Sequence, residues 1–121
     1  MLKIHLLGQF TLHTASAPIE IPSRPAQSLL AYLVLNAGLP QRREKLAGLL
    51  WPDSSETNAR GYLRVALWRI RKSFQAASVS WSDYLQVGEI SVAFDASANY
   101  WLDADVLLER RDRGLVGAGT D

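Results

Sequence analysis

From Glu56 to Ala77 the chain reads ETNARGYLRVALWRIRKSFQAA. At about 100° per residue, Ala59, Leu63, Ala66, Leu67, Ile70 and Phe74 fall on one stripe, the buried face of an amphipathic helix. The remaining surface carries Arg60, Arg64, Arg69, Arg71 and Lys72, with Asn58, Tyr62, Val65 and Trp68 among them and no acid after Glu56 to pair with. Arginines interleaved with amide, aromatic and small apolar side chains can neutralise phosphates and reach base edges in a major groove. The expectation is a helix that holds a core on one side and meets a DNA duplex on the other.

Immediately upstream, QRREKLAGLLW after Pro40 predicts a helix of about three turns, with Leu46, Leu49 and Leu50 on one side and Arg42, Arg43 and Lys45 at its start. Cations in a first turn oppose the helix dipole, a small cost that favours a nearby anion, so these three are candidates for phosphate contact. Pro52 ends this helix and Asp53-Ser54-Ser55 caps the next, which makes the pair a helix-turn-helix. Further back, Ser23 before Arg24-Pro25 opens another helix, with Leu29, Leu30, Leu33 and Val34 as its core face and Asn36-Ala37-Gly38 as its stop.

Residues 2–22 predict a small antiparallel sheet: KIHLL, a turn at Gly8-Gln9, FTLHT, a loop, then IEI, with Phe10, Leu12, Ile19 and Ile21 marking the buried side. His5 and His13 lie on these strands without a third ligand nearby and are read as ordinary strand residues. Beyond the long helix, YLQV, a turn at Gly88-Glu89 and ISVAF predict a hairpin, with Leu85, Val87, Ile90, Val92 and Phe94 alternating. Directly after a recognition helix such a hairpin is a wing, although its tip has no Arg or Lys to enter a minor groove. Residues 99–103 predict a strand or turn and Asp103 to Arg111 a short helix, where Asp103 and Asp105 cap or face solvent. Gly114 to Asp121 reads as a tail.

The 121 residues, 48% hydrophobic with four Trp and no Cys, fit one folded domain with no disulfide or thiolate metal site, as in a reducing cytoplasm. No segment has the apolar length of a membrane span or the layout of a signal peptide. A soluble cytoplasmic protein is expected. The net charge of +1 conceals a division: Arg42 to Lys72 holds eight basic residues against three acidic, and residues 83–121 hold three against eight. That polarity turns one part of the surface toward a polyanion. No glycine-rich phosphate loop, H-E-x-x-H or cysteine nucleophile is present, so neither an enzyme nor a cofactor is expected.

The order sheet, three helices and hairpin, with RPAQSLLAYLVLNAGLPQRREKLAGLLWPD and ARGYLRVALWRIRKSF, resembles the OmpR/PhoB-type winged-helix domain, in the version that opens SARP-like bacterial transcription activators. LAGLLWPD and ALWRIRKSF are the more specific blocks, and YWLDADVLLE looks like the join to a following helical domain. The resemblance covers roughly residues 2–109 and implies an α+β winged helix-turn-helix that regulates transcription, with residues 110–121 as a tail or linker. It also implies direct repeats of promoter DNA, head-to-tail copies of the protein, and a loop (Pro52, Asp53, Ser54, Ser55) facing RNA polymerase. Arg69 matches the family's base-reading arginine, and Arg71 and Lys72 match backbone-contacting positions. On the helical wheel Arg69 lies with Val65, Asn58 and Tyr62 opposite the core, and these four are the base-edge candidates. Arg64, Trp68, Arg71 and Lys72 join Arg42, Arg43 and Lys45 as phosphate candidates. For Trp68 the favoured reading is partial burial beside the wing, and Trp51, Trp81 and Trp101 are read as packing residues. The competing function is a protein-interaction module that uses the basic helix face without DNA.

Overall fold

The computed structural model describes residues 1–105; the helix expected to run on to Arg111, the boundary at 109 and the tail 110–121 lie outside the described residues. The elements are β1 (Leu2–His5), β2 (Thr11–His13), β3 (Pro18–Ile19), α1 (Arg24–Leu35), β4 (Gln41–Arg42), α2 (Arg43–Leu50), α3 (Glu56–Ala76), a 3₁₀ turn (Trp81–Asp83), β5 (Leu85–Val87), β6 (Ser91–Phe94) and β7 (Tyr100–Leu102). This is an α+β winged helix-turn-helix. The described residues divide into two compact units, Met1–Pro18 with residues 99–105, and Ile19–Ala98.

In the first unit the strands run in the order β3-β2-β1-β7. β1 and β2 pair antiparallel, Ile4 opposite Leu12, and alternation buries Leu2, Ile4 and Leu12 while Lys3 and Thr11 face water. The sheet is mixed rather than purely antiparallel, because β7 lies parallel to β1, with Leu2 opposite Tyr100 and Ile4 opposite Leu102. Asp103 then closes the sheet end: its carboxylate accepts the backbone N–H of Leu6 and of Leu7, each at 3.0 Å. His5 and His13, neighbours across the antiparallel pair, stack with ring centroids 5.3 Å apart and their Nε2 atoms at 3.2 Å.

In the second unit, Ser23 accepts the Ala26 N–H and Pro25 occupies the first turn of α1, as its sequence indicates. Leu29, Leu30, Leu33 and Val34 are buried, and Gly38, at φ 84°, carries the chain away from the helix end in the left-handed region. A side chain there would also press on Ala96, 3.2 Å from the position of a Cβ. Ser55 caps α3 by accepting the Asn58 N–H at 3.1 Å. All six apolar residues expected on the inner face of α3 are buried, none more than 3% exposed. α1, α2 and α3 contact one another pairwise around this stripe.

Three expectations change. Gln41–Arg42 is not the start of α2 but a two-residue strand, β4, paired antiparallel with β6; α2 therefore has 8 residues. Its buried residues are Leu46 and Ala47, whereas Leu49 is 52% exposed and Leu50 half-buried, so the face it buries is centred on Leu46–Ala47 rather than on Leu49–Leu50. The hairpin tip is displaced as well: Val87 pairs with Val92 and the Gly88 N–H bonds to the Ser91 carbonyl, so Glu89-Ile90 forms the turn instead of Gly88-Glu89. This moves the partners by two residues, which preserves strand faces, so Leu85, Val92 and Phe94 are still buried while Ile90 moves to the tip at 67% exposure.

Candidate nucleic-acid interface

Every residue that the sequence assigns to the candidate interface, apart from the wing, lies on α3, α2, β4 or the turn between the helices. The 21 residues of α3 make it about 30 Å long at 1.5 Å per residue. Opposite its buried stripe, Asn58, Tyr62, Val65, Trp68 and Arg69 are exposed, as are Arg64 and Lys72 on the flanks. Among the described residues neither Arg64 nor Arg69 forms a salt bridge; within this unit the single ion pair joins Arg60 to Glu56 at 3.9 Å, one helical turn apart and in water. These guanidinium groups are held out on a rigid helix with their donors unspent.

The structure separates residues that the sequence grouped together. Arg71 is half-buried, and its guanidinium lies 5.4 Å from the centroid of Trp81, a cation–π contact that ties it to the 3₁₀ turn after the helix. Trp68, expected to be partly covered beside the wing, is 53% exposed and instead carries Lys72, whose Nζ lies 5.7 Å from the ring centroid. Arg64, Val65, Trp68 and Arg71 surround one shallow concavity on that flank. On the opposite flank Tyr62 packs against Trp51, ring centroids 5.8 Å apart, and these two with Ser23, Pro25, Val65, Ala66 and Arg69 line a recess of about 180 Å³.

At the other end of the helix pair, β4, α2, α3 and the hairpin tip enclose a cleft of about 290 Å³ lined by Arg42, Arg43, Arg60 and Arg64 together with Glu44 and Glu89. Arg43 joins the elements: its Nε donates to the Gly88 carbonyl at 2.8 Å, and its backbone N–H to the Ile90 carbonyl at 2.9 Å. Using Nε alone leaves the two terminal amino groups of Arg43 free to face an anion. Lys45 reaches Gln41, Nζ to Oε1 at 3.5 Å, so β4 and α2 share a short polar link. The tip residue Ile90 was not among the sequence candidates, whereas Arg60 was among the cations read beside the apolar stripe, placed for a phosphate or an intramolecular pair, and it pairs with Glu56. Ile90 could be found only from the hairpin register. In the turn between the helices, Pro52, Asp53 and Ser55 are exposed and Ser54 half-buried.

Elsewhere, His5 and His13 show a hydrogen-bonded pair, with Asp103 3.9 Å from His5 Nδ1. Among the described residues no three His, Cys, Asp or Glu side chains gather as a metal site, and no helix is long and apolar enough to cross a membrane.

No protein-family model matches the chain, and no curated protein does. Among solved structures it is similar to Mycobacterium tuberculosis EmbR, determined in complex with a low-affinity phosphopeptide, with TM-score 0.65 and 21% identity over 78% of this chain. The match takes in 25% of the EmbR chain, so this sequence spans about a quarter of that protein's length. What the two share is the fold, a winged helix.

Proposed function

We propose that the chain is a sequence-specific double-stranded DNA-binding module of a transcription regulator of the OmpR/PhoB-type, SARP-like kind, with α3 seated in the major groove. One observation carries the reading: α3 presents Arg69, Arg64 and Lys72 to solvent without acidic partners among the described residues, on the side opposite a fully buried apolar stripe. A major groove about 12 Å wide admits one helix, and base edges there are distinguishable by donor and acceptor pattern. In this reading Arg69, Val65, Asn58 and Tyr62 face base edges. Arg64, Trp68, Arg71 and Lys72 lie along one phosphodiester strand, and Arg42, Arg43 and Lys45 hold another. The Pro52–Ser55 turn is left free for RNA polymerase, and a second copy binds head-to-tail on a direct repeat. The acidic Glu89 at the wing tip argues for a wing that braces Arg43 rather than entering the minor groove.

The test is a salt titration of binding to a duplex selected in vitro from random sequence. Each phosphate neutralised contributes a log–log slope of about −0.9, so six cationic phosphate candidates acting together give about −5. A flat titration overturns the DNA reading and favours a protein partner for the basic face.

A further inference from the structure

We propose that His5 and His13 form a two-histidine site for a divalent transition-metal ion, Zn²⁺ first among them, that pins β1 to β2 on the outer face of the first unit's sheet. None of the residues involved is assigned to DNA.

The chain has two histidines, and the sheet brings both together. Its register sets Lys3 against His13 and His5 against Thr11, so the two imidazoles are diagonal neighbours across an antiparallel pair, on the face opposite the buried Leu2, Ile4 and Leu12. Their Nε2 atoms stand 3.2 Å apart. Two imidazole nitrogens on one tetrahedral Zn²⁺, each about 2.0–2.1 Å from the ion, lie about 3.3–3.4 Å apart, whereas a right-angled pair in a square or octahedral shell lies at about 2.9 Å. The gap is already close to the tetrahedral bite. A turn of each ring about χ2, a soft torsion in histidine, aims both lone pairs at one ion.

The surroundings favour the tautomer that a metal needs. The Asp103 carboxylate, fixed by the N–H groups of Leu6 and Leu7, places Oδ2 3.9 Å from His5 Nδ1. A carboxylate on that side favours a proton on Nδ1 and leaves the Nε2 lone pair of His5 for a ligand, the outer-shell partnership common to metal-binding histidines. Trp101 packs against the same ring, centroids 5.1 Å apart, and shields it from part of the solvent. Both histidines are half-buried, so an ion held there keeps water in its remaining positions. The chain has no cysteine, and among the described residues no three His, Asp or Glu side chains gather, so no thiolate or larger cluster competes for the ion.

The experiment titrates zinc chloride into the untagged full chain at about pH 7.5, above the ordinary imidazole pKa, and follows the histidine ring resonances by NMR with magnesium chloride as the control. The signals of His5 and His13 should move together and saturate at one ion per chain. The thermal midpoint should rise with Zn²⁺ and not with Mg²⁺, which seeks oxygen ligands. His5→Gln and His13→Gln should each weaken Zn²⁺ binding by at least the roughly tenfold that loss of an outer-shell partner costs. The wild-type titration decides whether or not a variant folds. If the two histidines do not respond, or respond equally to Mg²⁺, or if either variant keeps its thermal midpoint and binds Zn²⁺ as tightly as wild type, the metal site is overturned and the pair is a side-chain hydrogen bond.

Discussion

Arg69→Ala isolates base reading from folding. The side chain is exposed, has no ion pair among the described residues, and its own residue's contact is a carbonyl accepting the Ser73 hydroxyl at 2.8 Å, which alanine retains. Alanine is also the better helix former, so stability should change by no more than about 0.5 kcal/mol. Binding should change far more. A bidentate arginine–guanine contact contributes about 1–3 kcal/mol of discrimination, equivalent to roughly five- to 150-fold between the selected duplex and one with that guanine replaced. Fluorescence anisotropy at several salt concentrations separates this from loss of a charge: the slope for Arg69→Ala should match wild type, whereas Arg64→Ala should lower it by about 0.9 with discrimination intact. An Arg69→Ala protein that discriminates as wild type does, or that loses one unit of slope and no specificity, refutes the assignment of Arg69 to a base.

Leu67→Asp tests the opposite face: Leu67 is 1% exposed, and an unpaired carboxylate there should cost about 5 kcal/mol or more, enough to abolish the cooperative thermal transition. A variant that melts like wild type means that the helix faces are reversed. Asp103 makes a prediction about acid. Burial raises its pKa, but the N–H groups of Leu6, Leu7 and Ala104 and the nearby His5 lower it further, leaving it below its ordinary value of 3.8. A carboxyl with a lowered folded-state pKa stabilises the fold fully above its unfolded value of about 3.9, and that contribution is lost as pH falls through the folded value. The thermal midpoint of Asp103→Asn should therefore lie below wild type at pH 7, with the gap narrowing as the pH is taken below the unfolded value; a gap that does not narrow on acidification excludes an ionic role.

Local patterns in the sequence were sufficient for α1 and α3, though not for the start or the buried face of α2. The six-residue apolar stripe of α3, the Ser23 and Ser55 caps and the glycine that follows α1 depend on residues within a turn or two of one another, and each is found where periodicity and capping chemistry put it. The same periodicity carried the separation of Arg69 from the core. Pairings between distant segments were not legible. β4 forms because β6 supplies its partner, so Gln41 and Arg42 leave the helix that their neighbours begin. β7 joins β1 in parallel across most of the chain length. The hairpin turns at Glu89-Ile90 because a two-residue shift keeps the same side chains buried, leaving alternation unable to choose between the two registers. The divergent fates of the cations follow from the same cause. Arg43 bonds a carbonyl 45 residues away and Arg71 rests on Trp81, while Arg64 and Arg69 have no ion-pair partner among the described residues. A helical wheel orders side chains around one axis, but which of them a neighbouring element engages is settled only when chain segments remote in sequence are packed together.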